Sequence, residues 1–231
     1  MMKAHPSQSY PLLSALLFFF FVTWSSSGSL LSIWLHQEVG LKPGDTGIIF
    51  SVLSVSALFA QVCYGFIQDK LGLRKNLLWY ITVLLILSGP AYMLFGYLLK
   101  INVLLGSIFG GIYIGLTFNG GIGVLESYTE RVARQSQFEF GKARMWGSLG
   151  WAVATFFAGL LFNINPHLNF AVASCSGLVF FILLARLRVS SAPHAMQEAV
   201  SGGKVTLEDA LRLLTLPRFW ALVFFLSLIH I

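Results

Sequence analysis

Two ionisable side chains stand where ionisable side chains are costly. Glu126 and Arg144 each interrupt a long apolar run, and only a short polar stretch separates the two runs. A charge at the centre of a hydrocarbon layer costs about 2.5 kcal/mol or more, so such a residue carries a functional hypothesis and a named partner. Here each is the natural partner of the other. Asn119, Ile122, Glu126 and Glu130 recur at three- and four-residue steps and share a helix face, as do Arg144, Ser148 and Trp151. Both charges lie nine residues from Gln135. With a turn there and helix on either side, each sits at most about 14 Å from the turn. Half of a hydrocarbon layer is about 15 Å, so the spacing predicts matching heights near its midplane.

Such a pair has three uses. It can lock two helices by mutual neutralisation. It can relay an ion or a proton, although a carboxylate held by arginine stays ionised. It can also bind a polyhydroxylated ligand, since the planar guanidinium offers forked donors to adjacent hydroxyls and the carboxylate accepts from their neighbours. The indole of Trp151 then supplies a flat apolar surface for the C–H face of a sugar ring. Carboxylate, guanidinium and indole on facing helices suit the third use better than the first.

The elements that must position these groups are membrane spans. The 231 residues are 56% hydrophobic and 10% charged, whereas soluble domains carry about 25% charged residues. Apolar segments fall at 12–35, 46–67, 77–99, 102–129, 142–162 and 168–187, and a seventh begins at Phe219 and stops at Ile231. Each of the first six meets the roughly 20 residues a helix needs to cross a bilayer, and none alternates as barrel strands do. The fold class is therefore all-α integral membrane. Residues 1–187 form a six-span bundle, 188–217 a cytoplasmic loop and 218–231 the start of a seventh span.

The first segment runs on through Ile33, Trp34 and Leu35, past the length of a signal peptide's apolar region, and is expected to remain as an uncleaved helix. Its second half, Thr23 to Ser29, is polar for lipid; close helix packing and a water-lined path explain it equally well. Outside the spans, Lys42 and Lys100 lie on one side and twelve basic residues, from Lys3 to Arg218, on the other. The positive-inside rule places the N-terminus and the long loop in the cytoplasm. Within that loop Thr206 to Leu214 has the pattern of a short amphipathic helix.

The net charge of +6 comes from scattered residues and forms no stripe for nucleic acid. Cys63 and Cys175 lie in apolar segments without metal-ligand spacing and are expected to be buried, inert thiols. No metal site, resident cofactor, nucleophile motif or pair of free carboxylates points to an enzyme. Glycines 106, 110, 111 and 115 include two Gly-x-x-x-Gly spacings, a signature of helix packing.

Between the second and third segments stands Gly65, then Asp69, Lys70, Gly72, Arg74 and Lys75. Gly65 can admit a neighbouring helix, and Gly72 suits a tight reversal. As a pattern, Gly-x-x-x-Asp-Lys-x-Gly-x-Arg-Lys resembles the signature loop of the major facilitator superfamily, in which it helps balance inward- and outward-facing states. The segment from Glu126 to Val132, followed by Phe138 to Met145, resembles the oligosaccharide:proton symporters of that superfamily, the lactose, raffinose, melibiose and sucrose permeases. The resemblance runs from the first span to about Phe219.

It implies an N-terminal bundle built from two three-helix repeats. It also implies a monomer when full length in a cell inner membrane, with a sugar and a proton as ligands and the proton as coupling ion. By it Glu126 and Arg144 are the sugar-binding pair and Trp151 stacks on the sugar, with Ser148, Ile122 and Asn119 alongside. Glutamate and tryptophan match lactose permeases at these places. Ser148 stands in place of a cysteine and Ile122 in place of an alanine, while Thr23 to Ser25 and Pro166 to Phe170 look nearer sucrose permease. The coupling residues of the family lie mainly in the second bundle, so this chain is expected to be an N-terminal fragment not competent for transport alone. An uncoupled facilitator or efflux member of the superfamily is the main alternative, and a membrane enzyme or scaffold a remote one.

Overall fold

The computed structural model describes residues 6–71, 74–187, 215–217, 219–221 and 224. Among them every regular element is a helix. In chain order, α1 is Pro6–Gly28, α2 Leu31–Gln37, α3 Pro43–Leu71, α4 Asn76–Ile86, α5 Ser88–Ile101 and α6 Val103–Ile114. A π-helical segment, Gly115–Gly120, joins α6 to α7, Gly121–Ser136, and α8, Phe140–Ile164, and α9, His167–Arg186, complete the bundle. Five stretches are each long and apolar enough to cross a membrane, and the bent pair α4–α5 makes a sixth. These helices belong to one compact unit ending at Ser190; residues 191–231 form another, in which Phe219 N–H donates to the Leu216 carbonyl. The long loop, its expected amphipathic helix and most of the seventh span lie outside the described residues.

Two spans differ from expectation for local reasons. The third is not one straight helix: α4 and α5 meet at 60°. Pro90 sits four residues after Ile86, so it cannot donate to that carbonyl and its ring crowds it. At the break, the Gly89 N–H donates to Ser174 Oγ of α9 at 2.8 Å, which satisfies a backbone group that lipid could not. The fourth span is longer than expected, running from Val103 to Ser136 through the π segment. The reversal after it lies at 137–139, where Gln137 adopts the left-handed region at φ 55°, and not at Gln135.

The polar half of α1 resolves toward packing. Thr23, Ser25, Ser26 and Ser27 are all buried. Thr23 Oγ1 donates to the Phe19 carbonyl, and Ser27 Oγ lies 2.9 Å from the Thr23 carbonyl and 3.2 Å from that of Trp24. Cys63 and Cys175, expected inside, are both exposed, because each falls on the outer face of its helix.

Helices α1 and α8 approach each other at backbone distance. One face of α8 carries only small residues, Ala143, Gly147, Gly150, Ala154 and Ala158, all buried. At Gly150 an added Cβ would overlap the Phe18 carbonyl oxygen and stand 3.1 Å from Phe18 Cα. The two backbones therefore touch, and α9 approaches α4 in the same way, where a Cβ on Gly177 would lie 2.7 Å from the Leu85 carbonyl.

Gly150→Val should destabilise the bundle by about 1–3 kcal/mol through overpacking. Gly159→Ala, with open space around the added carbon, should leave it within about 0.5 kcal/mol of the parent. Thermal unfolding in detergent followed by circular dichroism reads both. Equal midpoints for the two variants would show that α1 and α8 do not meet at backbone distance.

Candidate sugar-binding site

Glu126 lies in the middle of α7, ten residues before its end at Ser136, and Arg144 lies four residues after the start of α8. At 1.5 Å per residue, these are about 15 Å and 6 Å from the reversal. Counted in helical residues alone the two distances differ, the non-helical residues 137–139 lying on the Arg144 side. The pair nevertheless forms: Arg144 Nε donates to Glu126 Oε1. Both side chains are about a third exposed, 32% and 33%. The contact is side-on, through Nε and one carboxylate oxygen, and not the two-bond fork that arginine and carboxylate make when they lock together.

The guanidinium has two further neighbours. Its Nη1 lies 3.4 Å from Ser148 Oγ, one turn along α8. Its Cζ stands 4.5 Å from the centre of the Phe21 ring of α1. Such a cation–ring contact is worth about 0.5–2 kcal/mol, more as water is excluded.

Trp151, half-buried, is held at its backbone and its ring by α1. Ser25 Oγ, Thr155 Oγ1 and the Trp151 carbonyl form a closed triangle, with Ser25 3.1 Å and Thr155 2.9 Å from the carbonyl and the hydroxyls 2.7 Å apart. The indole meets Trp24 nearly at right angles, ring centres 5.5 Å apart, and the edge of Phe21 at 6.2 Å. Trp24 in turn stacks almost parallel on Phe118 of the π segment at 5.8 Å. An aromatic wall thus continues from the indole across α1 to the segment that precedes Glu126.

Among the expected site residues, Glu126, Arg144, Ser148 and Trp151 are brought together. Ile122 is half-buried and packs on the apolar core. Asn119 falls within the π segment, whose turns are wider than those of an α-helix. No hydrogen bond or ion pair among the described residues ties either of them to the pair. Glu130 instead pairs with Arg134 one turn on, at 2.5 Å.

The loop motif also resolves in part. Around Gly65 an added Cβ would meet nothing within 4 Å among the described residues. Asp69 lies in the last turn of α3, which ends at Leu71, and Gly72 lies outside the described residues. Lys70 stands 5.8 Å over the Phe66 ring, and the Arg74 N–H donates to the Leu71 carbonyl. Lys75 donates to the Leu184 and Leu187 carbonyls at the C-terminus of α9, where helix carbonyls lack partners. Its partial burial pushes its pKa below that of an ordinary lysine.

Phe21, Gly147 and Phe118 were not among the residues singled out by sequence. Phe21 ends a run of four phenylalanines, and nothing in that run distinguishes the ring against the cation from those facing lipid. Gly147 did carry a signal, as one of five small residues spaced four, three, four and four apart.

The sequence matches the model of the LacY proton/sugar symporter family over residues 2–230. It is 39% identical to the sucrose permease of Escherichia coli over 219 residues, which cover 94% of this chain and 52% of that one. It is 40% identical to the raffinose permease of Escherichia coli over 206 residues, 89% of this chain and 48% of the relative. With the lactose permease of Citrobacter freundii it shares 42% identity over 192 residues, 81% and 46% of the two chains. The chain spans about half the length of these relatives. With the family model matched over almost the whole sequence, the chain belongs to the LacY proton/sugar symporter family.

Proposed function

We propose that this chain supplies the sugar-binding half of a proton-coupled disaccharide or oligosaccharide symporter in a bacterial inner membrane. Its N-terminus is cytoplasmic and the active molecule a monomer. Residues 1–187 are the bundle, built as two three-helix repeats, 188–217 the link and 218–231 the start of the next span. The sugar is held by Glu126 and Arg144, with Trp151 stacked on one ring and Ser148, Ile122 and Asn119 at the margin. Gly65 to Lys75 acts in the exchange between inward- and outward-facing states. The names of the relatives, permeases for sucrose, raffinose and lactose, support the substrate class.

One observation carries the reading. Arg144 meets Glu126 through Nε and a single oxygen, with both side chains a third exposed beside an indole. A pair whose task was to join two helices would be buried and bidentate. A pair met side-on keeps donor and acceptor edges that a diol can use. The second half of the transporter would close over this face and carry the groups that couple sugar to proton, so that the two halves rock about the bound ligand.

Arg144→Lys in the intact transporter should abolish measurable sugar affinity while retaining the charge, because the planar fork is lost. Trp151→Tyr should weaken binding a few-fold and Trp151→Ala far more, since the first keeps an aromatic face. Isothermal titration with lactose, raffinose and sucrose measures both; an unchanged affinity for Arg144→Lys removes that residue from the site, and equal losses at Trp151 reduce it to packing. Coupling is read separately. Adding the transported sugar to de-energised cells should alkalinise the medium, and sugar entry without that change would identify a facilitator.

A further inference from the structure

An arginine that recognises adjacent hydroxyls must present its plane at a fixed angle, and Arg144 has at its edge only the bond from Nε to Glu126 and a long one of 3.4 Å from Nη1 to Ser148, neither of which covers its face. The group that does is on a different helix. Phe21 of α1 is 7% exposed and lies under the guanidinium carbon at 4.5 Å. The same ring turns its edge to the Trp151 indole at 6.2 Å and lies near-parallel to Trp24 at 5.8 Å.

The opposing surface of α8 is cut to receive it. Gly147 lies between Arg144, three residues before it, and Trp151, four after. A Cβ there would fall 2.7 and 2.8 Å from Phe21 Cδ2 and Cε2, and 3.1 Å from Arg144 Nη1. The ring therefore occupies the volume that any side chain at residue 147 would take. We propose that Phe21, seated in the Gly147 notch, is a positioning residue that fixes the plane of Arg144 and its placement relative to Trp151. The proposal rests on the sugar-site reading for its consequence, but the contact itself can be tested without a sugar.

The geometry distinguishes substitutions at residue 21 by chemistry, not by size. Leucine keeps an apolar filler and loses the ring face; tyrosine keeps the face. In the intact transporter, Phe21→Leu should raise the Kd for the transported sugar about tenfold, the scale of a contact worth about 1.4 kcal/mol. The maximal transport rate should stay within about twofold. Phe21→Tyr should restore affinity, and Gly147→Ala, which displaces the ring, should reproduce the loss. On an Arg144→Lys background Phe21→Leu should make no further difference to residual uptake.

A second readout needs no ligand. Phenylglyoxal reacts with accessible guanidinium groups, and peptide mass spectrometry scores Arg144 against Arg134 as an internal reference. Phe21→Leu should speed labelling of Arg144 several-fold while leaving Arg134 unchanged, and Phe21→Tyr should return it to the parent rate. Parent-like labelling in Phe21→Leu, or a fall in thermal midpoint with sugar affinity intact, would overturn the proposal. If the parent binds none of the three sugars, the site reading fails while the labelling experiment still decides whether Phe21 holds Arg144.

Discussion

Where Gly150 faces the carbonyl of Phe18, no side chain separates α8 from α1, and the two helices are held at backbone distance. In lipid there is little hydrophobic force between helices, so close contact of this kind supplies the packing attraction that water would otherwise drive. The consequence is local and chemical. Because the backbones touch at Gly150, Phe21 reaches the notch at Gly147 and Ser25 reaches the carbonyl of Trp151. One helix therefore orients both the cation and the indole, although it contributes no charged group in its membrane-spanning stretch from Ser9 onward.

The same economy governs the irregular backbone. Hydrocarbon offers no hydrogen bonds, so every interruption of a helix needs a partner within the protein. At the bend between α4 and α5 that partner is Ser174, and at the end of α9 it is the ammonium group of Lys75. The π segment keeps its bonds by widening the turn, and its position six residues before Glu126 rotates everything downstream relative to α6. Gly115 at its start rests against the Ser56 carbonyl carbon and oxygen of α3, each about 3.0 Å from where a Cβ would stand. The orientation of the carboxylate is thus inherited from a glycine contact eleven residues away.

Some of this was legible in the residues and some was not, and the difference follows the physics. Length and apolar composition report on the solvent, so the spans and their order could be read directly. The contact between Glu126 and Arg144 could be read because a charge in lipid leaves few alternatives. The place of the reversal could not, since Gln137 in the left-handed region gives no warning in a Gln-Ser-Gln sequence. The π segment that contains Asn119 was equally hidden. Exposure of Cys63 and Cys175 was missed because in lipid an apolar segment is no sign of burial. Phe21 was missed because aromatic rings facing lipid, core and cation are written with the same letter.

The depth of the pair bears on what it can do. Two fully buried charges suffer a desolvation penalty that mutual attraction offsets only with saturated geometry, and the contact through Nε and one oxygen is not saturated. At about a third exposed, the penalty is smaller and so is the attraction, because the surrounding dielectric screens both. Such a pair adds little to the cohesion of the bundle. It leaves donors and an acceptor beside an apolar indole, with the cation pressed against Phe21 so that its plane has few alternatives. On the proposed reading, a ligand with adjacent hydroxyls and a C–H face would meet those groups without having to open the pair, so recognition would add contacts where a helix lock would have to surrender them.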